Sequence, residues 1–524
     1  MKPLLTAIFT IILSSCFCLG TGCAENNTPS QNITDEIIPV IVINPDIKYQ
    51  TIQNFGASDA WTGQFVGLWP DAKRNQIADL LFSTEMGDNG QPKGIGLSLW
   101  RFNIGAGSAA QINIGDEWRR TESFLNNDGT YDWTKQSGQS WLLKAAKQRG
   151  VDQFLGFTNS PPISLTKNGK AFSDGGIDAN LAPGNYTAFS EFLANVALHF
   201  QQEGVPLNYL SPFNEPQWDW NGNGQEGCPY TNQQIYDITK KLDSLITLKQ
   251  IHSKILIGEA GKLNYLYEEA DKPGRGNQII DFFNQNSFRY LGAMTNVEKT
   301  ISGHSYFTTA PASNMTSIRQ NLTNKLSEAS APLAFWQSEY CVLGDQEEIV
   351  ASGKDLSINT ALYVARIIHN DLTVANASAW QWWLAVSAYD YKDGLIYIDK
   401  SKTDGKIEDS KLLWALGNYS RFIRPGSVRI GVTGENVNVN NPTGLMVSSY
   451  MDSANKKLIT VLINYAFSDI KYKVQFKGIN IEYLTPYSTS ASTDKGLNPQ
   501  PQIKTSEVFT VPQRSIITLV GTLP

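Results

Sequence analysis

Eight short apolar runs, separated by longer amphipathic stretches, constrain this chain more than any other feature. They lie at 52–57, 96–102, 153–158, 207–213, 254–258, 300–304, 333–338 and 378–383. Between them, Phe189, Phe192, Leu193 and Val196 recur at helical spacing, as do Ile358, Ala361, Leu362, Ala365 and Ile368. Short strands alternating with helices predict parallel βα units, and eight of them predict a closed (β/α)8 barrel, the TIM barrel of the α/β class, over residues 49–426. After Gly426 the pattern changes to strands at 458–464, 472–477 and 515–520 with turns between and no helical window. That predicts a small antiparallel β-sandwich over 427–524.

At 524 residues the chain suits one large barrel plus one small domain. A net charge of −6 and a pI near 5.5 argue against nucleic acid or an anionic membrane surface as partner. The N-terminus opens with Met1-Lys2 and an apolar run at 4–13, too short to cross a bilayer and suited to a signal peptide. It ends in Leu13-Ser14-Ser15-Cys16, which resembles a bacterial lipoprotein signal whose cysteine is acylated after cleavage; Cys23 is a second candidate. Residues 1–23 are therefore read as the signal and the polar stretch 24–36 as a linker. The expected location is the bacterial envelope, outer membrane, periplasm or cell surface, reached by secretion across the inner membrane. The protein is expected to be a monomer, touching membrane only through its lipid. Beyond the N-terminal region only Cys228 and Cys341 remain, so this is no disulfide scaffold. A bridge between those two stays open; it needs Cα atoms within about 7 Å.

The chemistry centres on two of the strands. The run ending Leu210-Ser211-Pro212-Phe213 stops at Asn214-Glu215-Pro216, because proline has no N–H for a ladder. The run at 332–338 ends in Glu339-Tyr340. Carboxylates at the carboxyl ends of barrel strands stand where such barrels place catalytic groups, and a pair of them is the equipment of glycoside hydrolysis. These residues resemble glycoside hydrolase family 30, and the likeness runs from Gln53-Asn54-Phe55-Gly56-Ala57-Ser58 to the C-terminus. The resemblance implies a retaining β-glycosidase with a barrel and an attached sandwich, Glu215 as acid/base and Glu339 as nucleophile. It also implies a substrate-facing His304 and Tyr306, and an N-terminal strand, 37–48, that crosses to the sandwich. Within the family the chain is most similar to endo-β-1,6-galactanases, with a polysaccharide or oligosaccharide as partner. A β-1,6-glucanase, a β-xylan-acting enzyme or an exo-glycosidase are the alternatives. Xylan is disfavoured because family members that cleave glucuronoxylan carry an arginine after the last strand, and 385–391 holds none.

Arg101, at the end of its strand, needs an anion, and Glu339 is the natural one. That pairing would keep one carboxylate charged while Glu215 stays protonated. Asn214 is expected to bond the sugar's 2-hydroxyl. Side chains alternate along 380–383, so Trp383 is expected to floor the reacting sugar while Trp382 points away. Asp59, Trp61, Asn159 and Glu259 end strands and are placed in the mouth, with Asp59 as partner of an axial 4-hydroxyl. Trp218 and Trp220 are expected to stack sugars on the leaving-group side. The glycine-rich 105–110 nearly matches a dinucleotide fingerprint, but no apolar helix follows it; it is read as a loop that lets substrate approach backbone. The four histidines show no paired-ligand spacing, so neither a metal nor a cofactor is expected. A non-catalytic glycan-binding lipoprotein is the reading from another class, and the presence of both glutamates disfavours it.

Overall fold

The computed structural model describes residues 37–344, 346–492 and 496–524; the signal at 1–23 and the linker at 24–36 lie outside the described residues. Strand β1 (Val40–Thr51) precedes eight parallel strands: β2 (Asn54–Ser58), β3 (Leu99–Asn103), β4 (Gln153–Phe157), β5 (Tyr209–Ser211), β6 (Lys254–Ala260), β7 (Val297–His304), β8 (Ala334–Glu339) and β9 (Ala379–Ser387). They pair in sequence order, and β9 pairs with both β8 and β2, which closes the barrel. Each of the eight apolar runs became one of these strands. Every residue of β2, β3 and β9 is buried, which is why the runs read as continuous and not alternating. Beyond the closure, β9 also pairs in parallel with β10 (Gly394–Ile398), and β10 pairs antiparallel with β11 (Ile407–Asp409). This extension stands next to the mouth.

Helices follow the strands. Asn232–Leu248 begins at a capping box, in which Thr231 Oγ1 accepts from Gln234 N–H and the Gln234 side chain accepts from Thr231 N–H. Ile358–Thr373 and Lys411–Ser420 are buried almost all round, because they pack on the barrel side and on a second sheet as well.

That second sheet contains β1, β12 (Val428–Glu435), β13 (Leu445–Asp452), β14 (Lys457–Asn464), β15 (Ile470–Phe476), β16 (Tyr483–Ser490), β17 (Asn498–Pro499), β18 (Ile503–Lys504), β19 (Phe509–Val511) and β20 (Ser515–Thr522). It is antiparallel apart from β1 against β15. In β14, Leu458 and Leu462 face the sheet's own core with Ile41, Ile43 and Leu519, while Ile459, Val461 and Ile463 join the barrel-side core. In β15, Tyr472 and Val474 are buried and Lys471, Lys473 and Gln475 are exposed. One strand is covered on both faces and the other on one, so the first reads as a solid apolar run and the second alternates. Cys228 and Cys341 are both buried and free. The possible bridge is therefore absent; Cys228 instead accepts from Asn180 N–H at 3.3 Å.

One buried carboxylate ties these layers. Asp371, on Ile358–Thr373, accepts from Arg319 Nε of Ala312–Leu326 at 2.6 Å and from Trp380 Nε1 of β9 at 2.9 Å. It also accepts from Ser305, directly after β7, at 3.3 Å. Arg319 and Asp371 are both fully buried, so removing either leaves a charge that water cannot reach. Asp371→Ala is expected to lower the unfolding free energy by about 3–5 kcal/mol, measured in urea. A loss below about 1 kcal/mol would show that the pair can be dispensed with.

Candidate active site

The carboxyl ends of β3, β5, β6, β7 and β8 converge on one cluster of charges. Glu339 is the last residue of β8 and His304 the last of β7; Glu259 is the penultimate residue of β6. Glu215 stands four residues beyond β5, where its backbone turns into the left-handed region at φ 44°. Glu259 does the same at φ 47°. The two turns are joined, since Glu215 N–H donates to Glu259 O at 2.9 Å.

Arg101 lies beneath, fully buried, with its guanidinium 3.9 Å from the centre of the Phe157 ring. Its Nη1 donates to Glu339 Oε2. Its Nη2 donates to Glu259 Oε2 at 3.1 Å and to Asn214 Oδ1 at 3.4 Å. His304 bridges the other pair: Nδ1 is 3.0 Å from Glu215 Oε1, and Nε2 is 2.8 Å from Glu259 Oε2. Tyr306 OH donates to Glu339 Oε1 at 3.0 Å.

The electrostatics follow from these contacts. Burial pushes the Glu215 carboxyl above its ordinary value, and the negative charge of Glu339 adds to the rise, against the pull of His304. Burial alone would also raise Glu259, yet the charge of Arg101, followed by His304 and Ser338, brings it down to about 2. Burial opposes a charge on His304, but Glu339, Glu215 and Glu259 outweigh it and raise the imidazole to about 10. The cluster thus holds an ionised Glu259 and two cations, with the Glu215 carboxyl shifted toward its protonated form by burial. Glu215, His304 and Glu339 present one ligand atom each within 4.8 Å of one another. That trio is a poor metal site, because a metal needs a neutral imidazole nitrogen and here both nitrogens are committed to carboxylates. One Glu215 oxygen and one Glu339 oxygen stand at a separation of no more than 4.8 Å, no wider than the roughly 5–5.5 Å of a pair in which one carboxylate attacks as the other protonates. It is well short of the roughly 6.5–9.5 Å that leaves room for a water.

Above the pair opens a cavity of about 650 Å³. Trp61, Trp218, Trp220, Tyr306, Trp383 and Tyr389 supply aromatic walls, and Asn214, Glu215 and Glu339 reach it from below. Trp61 meets Trp383 edge-on at 5.4 Å between ring centres. Trp382 is buried away from it, its Nε1 donating to Asp393 O at 2.7 Å.

Several expected mouth residues are elsewhere. Asp59 does not line the cavity. It is 2% exposed, it accepts from Asn103 N–H at 2.8 Å and from Gln139 Nε2 at 3.3 Å, and burial raises its carboxyl to about 8. It cannot greet a sugar hydroxyl from there. Asn159 is buried beside Asn103, 3.5 Å from its Oδ1. His304 and Arg101 are fully buried, so His304 stands behind Glu215 and does not face substrate. The glycine-rich loop is closed on a carboxylate: Glu226 accepts from Ala106 N–H at 3.2 Å, Ser108 Oγ at 2.6 Å and Thr121 Oγ1 at 2.7 Å. Its backbone is occupied by the protein itself.

Sequence reasoning assigned Glu259 no task, although a third apolar strand closing on a glutamate was the same signal that marked the other two. It missed Arg119, Gln225, Asp390 and Asp393, which reach the cavity from loops. Arg119 stacks over Trp61 at 4.4 Å and has no carboxylate within salt-bridge distance among the described residues.

Comparison with known proteins places this geometry. A family model described as O-glycosyl hydrolase family 30 matches residues 39–397. The endo-beta-1,6-galactanase of Hypocrea rufa is 26% identical over 407 residues, covering 74% of this chain and 75% of that protein. A crystal structure described as a conserved exported protein from Bacteroides fragilis is 38% identical, with a TM-score of 0.86 over 92% of this chain and 100% of that one. The catalytic domain of a xylanase C from Talaromyces cellulolyticus shares the fold at 21% identity and a TM-score of 0.67, over 92% of this chain and 100% of that one.

Glu259 is one of three carboxylates that hold the charge on His304, beside Glu339 and Glu215, so replacing it should lower the pKa of the imidazole. In the parent protein the His304 ring should stay doubly protonated between about pH 5 and 9 by ¹⁵N NMR. In Glu259→Gln its pKa is expected to fall from about 10 into that window. A ring that remains doubly protonated at the alkaline end in the variant would refute the assignment.

Proposed function

The chain belongs to O-glycosyl hydrolase family 30, and from that membership we propose that it is a retaining β-glycosidase that cleaves β-1,6-galactan within the chain. The observation that carries the mechanism is the carboxylate pair within 4.8 Å. The sugar lies on Trp383. Glu339 attacks the anomeric carbon while Glu215 gives its proton to the departing oxygen. Arg101 and Tyr306 hold the two Glu339 oxygens, which fixes the attack line. The His304 imidazolium steadies the Glu215 carboxylate left behind. Glu215 then takes a proton from water, which displaces Glu339 and releases sugar with its configuration retained. Asn214, whose Oδ1 accepts from Arg101, offers its Nδ2 to the 2-hydroxyl.

The galactan reading draws support from the Hypocrea rufa relative and from the aromatic walls, since a chain with an extra rotatable bond per linkage gains from stacking platforms. A second reading rests on Arg119. Its guanidinium lies in the mouth with no carboxylate within salt-bridge distance among the described residues, which leaves it free for an acidic sugar. Arg119 comes from the segment between β3 and β4, whereas the stretch after the last barrel strand, 385–391, holds no arginine.

Glu339→Gln is expected to lower turnover by roughly 10⁴-fold or more, as when one member of a catalytic unit is removed. Azide should rescue Glu215→Ala on an activated aryl glycoside and give a β-glycosyl azide. On a polysaccharide panel, debranched arabinogalactan should release short β-1,6-galacto-oligosaccharides. Equal or greater activity on β-1,6-glucan or on glucuronoxylan would overturn the galactan reading, and inverted product would overturn the mechanism.

Export and lipid attachment at Cys16, or at Cys23, complete the proposal. They rest on the signal-like N-terminus. Mass spectrometry of mature protein from a bacterial host should find a diacylglyceryl-modified N-terminal cysteine. A chain beginning at an unmodified small residue would remove the anchor.

A further inference from the structure

Beside the catalytic cavity is a second depression of about 410 Å³, and Phe307 lines both. Phe307 is 48% exposed, in a barrel where large apolar side chains are otherwise mostly buried. Its backbone is in the left-handed region at φ 59°, a conformation that costs a non-glycine residue energy and clusters at functional sites. On one flank stands Trp218, its ring centre 6.2 Å from that of Phe307. Between them lies Lys262, whose ammonium is 5.4 Å from the Trp218 ring, 5.5 Å from Phe307 and 5.7 Å from Tyr265. No hydrogen bond or ion pair from Lys262 to a described residue occupies those N–H donors. Past the ridge the floor turns polar, with Tyr267, Asn314 and Asn321.

The position of this groove selects its ligand. Trp218 follows Glu215 closely in the chain, and the Trp218 indole and a Glu215 carboxylate oxygen both crowd Gly261, so close that a Cβ there would meet Trp218 Nε1 at 2.4 Å and Glu215 Oε1 at 3.3 Å. The ridge is thus on the acid/base side of the cavity. An acid that protonates the departing oxygen faces the leaving group, so a chain running out past Glu215 runs over Phe307. The aromatic face of Phe307, amide side chains, the carboxylates of Glu268 and Asp271 and the Lys262 ammonium together offer pyranose rings a stacking surface and their hydroxyls both donors and acceptors.

Resting on the glycosidase reading above, we propose that the groove beyond Phe307 binds sugars on the leaving-group side of the scissile bond, the contact that makes cleavage internal to a chain. The test is a length series of oligosaccharides extended on the leaving-group side, measured as kcat/KM beside a short aryl glycoside of the same sugar. In the parent enzyme each sugar that reaches the groove should raise kcat/KM by about fivefold, the scale of one aromatic stacking contact. In Phe307→Ala and in Lys262→Ala, on separate loops, that gain should vanish, so the ratio of long to short substrate collapses in both. A flat length dependence in the parent, or an undiminished ratio in both variants, would overturn the proposal. If a β-glycan other than galactan proves to be the substrate, the galactan reading falls alone, and the same series made from that glycan decides the groove.

Discussion

Arg101 and His304 are cations that solvent does not reach, and a buried charge persists only where partners replace its water. Glu259 is shared by both, through Arg101 Nη2 and His304 Nε2. That sharing is what lets a barrel floor hold so much charge. Arg101 then extends to Glu339, and His304 bonds Glu215 at 3.0 Å while lying 3.6 Å from Glu339. The pair is therefore differentiated from below: one carboxylate is salt-bridged to a permanent guanidinium, and the other is kept near a proton by burial, against a cation that can take up the charge once the proton leaves.

The scaffold serves this arrangement by its strand ends. Parallel strands of a closed barrel deliver their last side chains to one rim, but Glu215 and Glu259 reach theirs only by turning through the left-handed region, with a backbone hydrogen bond joining the two turns. Conformations of that kind persist where surrounding packing over-determines them. Asp371 supplies some of that packing, by holding Ser305 immediately beyond His304.

The sequence made the barrel legible because strands buried on both faces appear as unbroken apolar runs, and the spacing of Ile358, Ala361, Leu362, Ala365 and Ile368 marked the helix between two of them. The same reasoning found Glu215 and Glu339, where apolar runs stop at proline or an aromatic. It could not tell depth. Asp59 and His304 end strands as surely as Glu339 does, yet one is tied down by Asn103 and Gln139 and the other is enclosed by carboxylates. A sequence shows that a residue closes a strand; which layer of the lumen it fills depends on the stagger between neighbouring strands. Arg119, Asp390 and Asp393 come from loops with no periodicity to read, so nothing local singled them out.

Strand β1 sits between β12 and β15, paired with residues near the other end of the chain, Val40 with Glu435 and with Lys473. Both partners lie roughly 400 residues further along the chain. Until those partners are in place, Ile41 and Ile43, wholly enclosed in the finished protein, have no wall to lie against, and both hydrogen-bonding edges of the strand are open. The sheet is thus completed by a pairing distant in sequence, whose loop-closure cost weighs on the rate of folding more than on the stability of the finished layers.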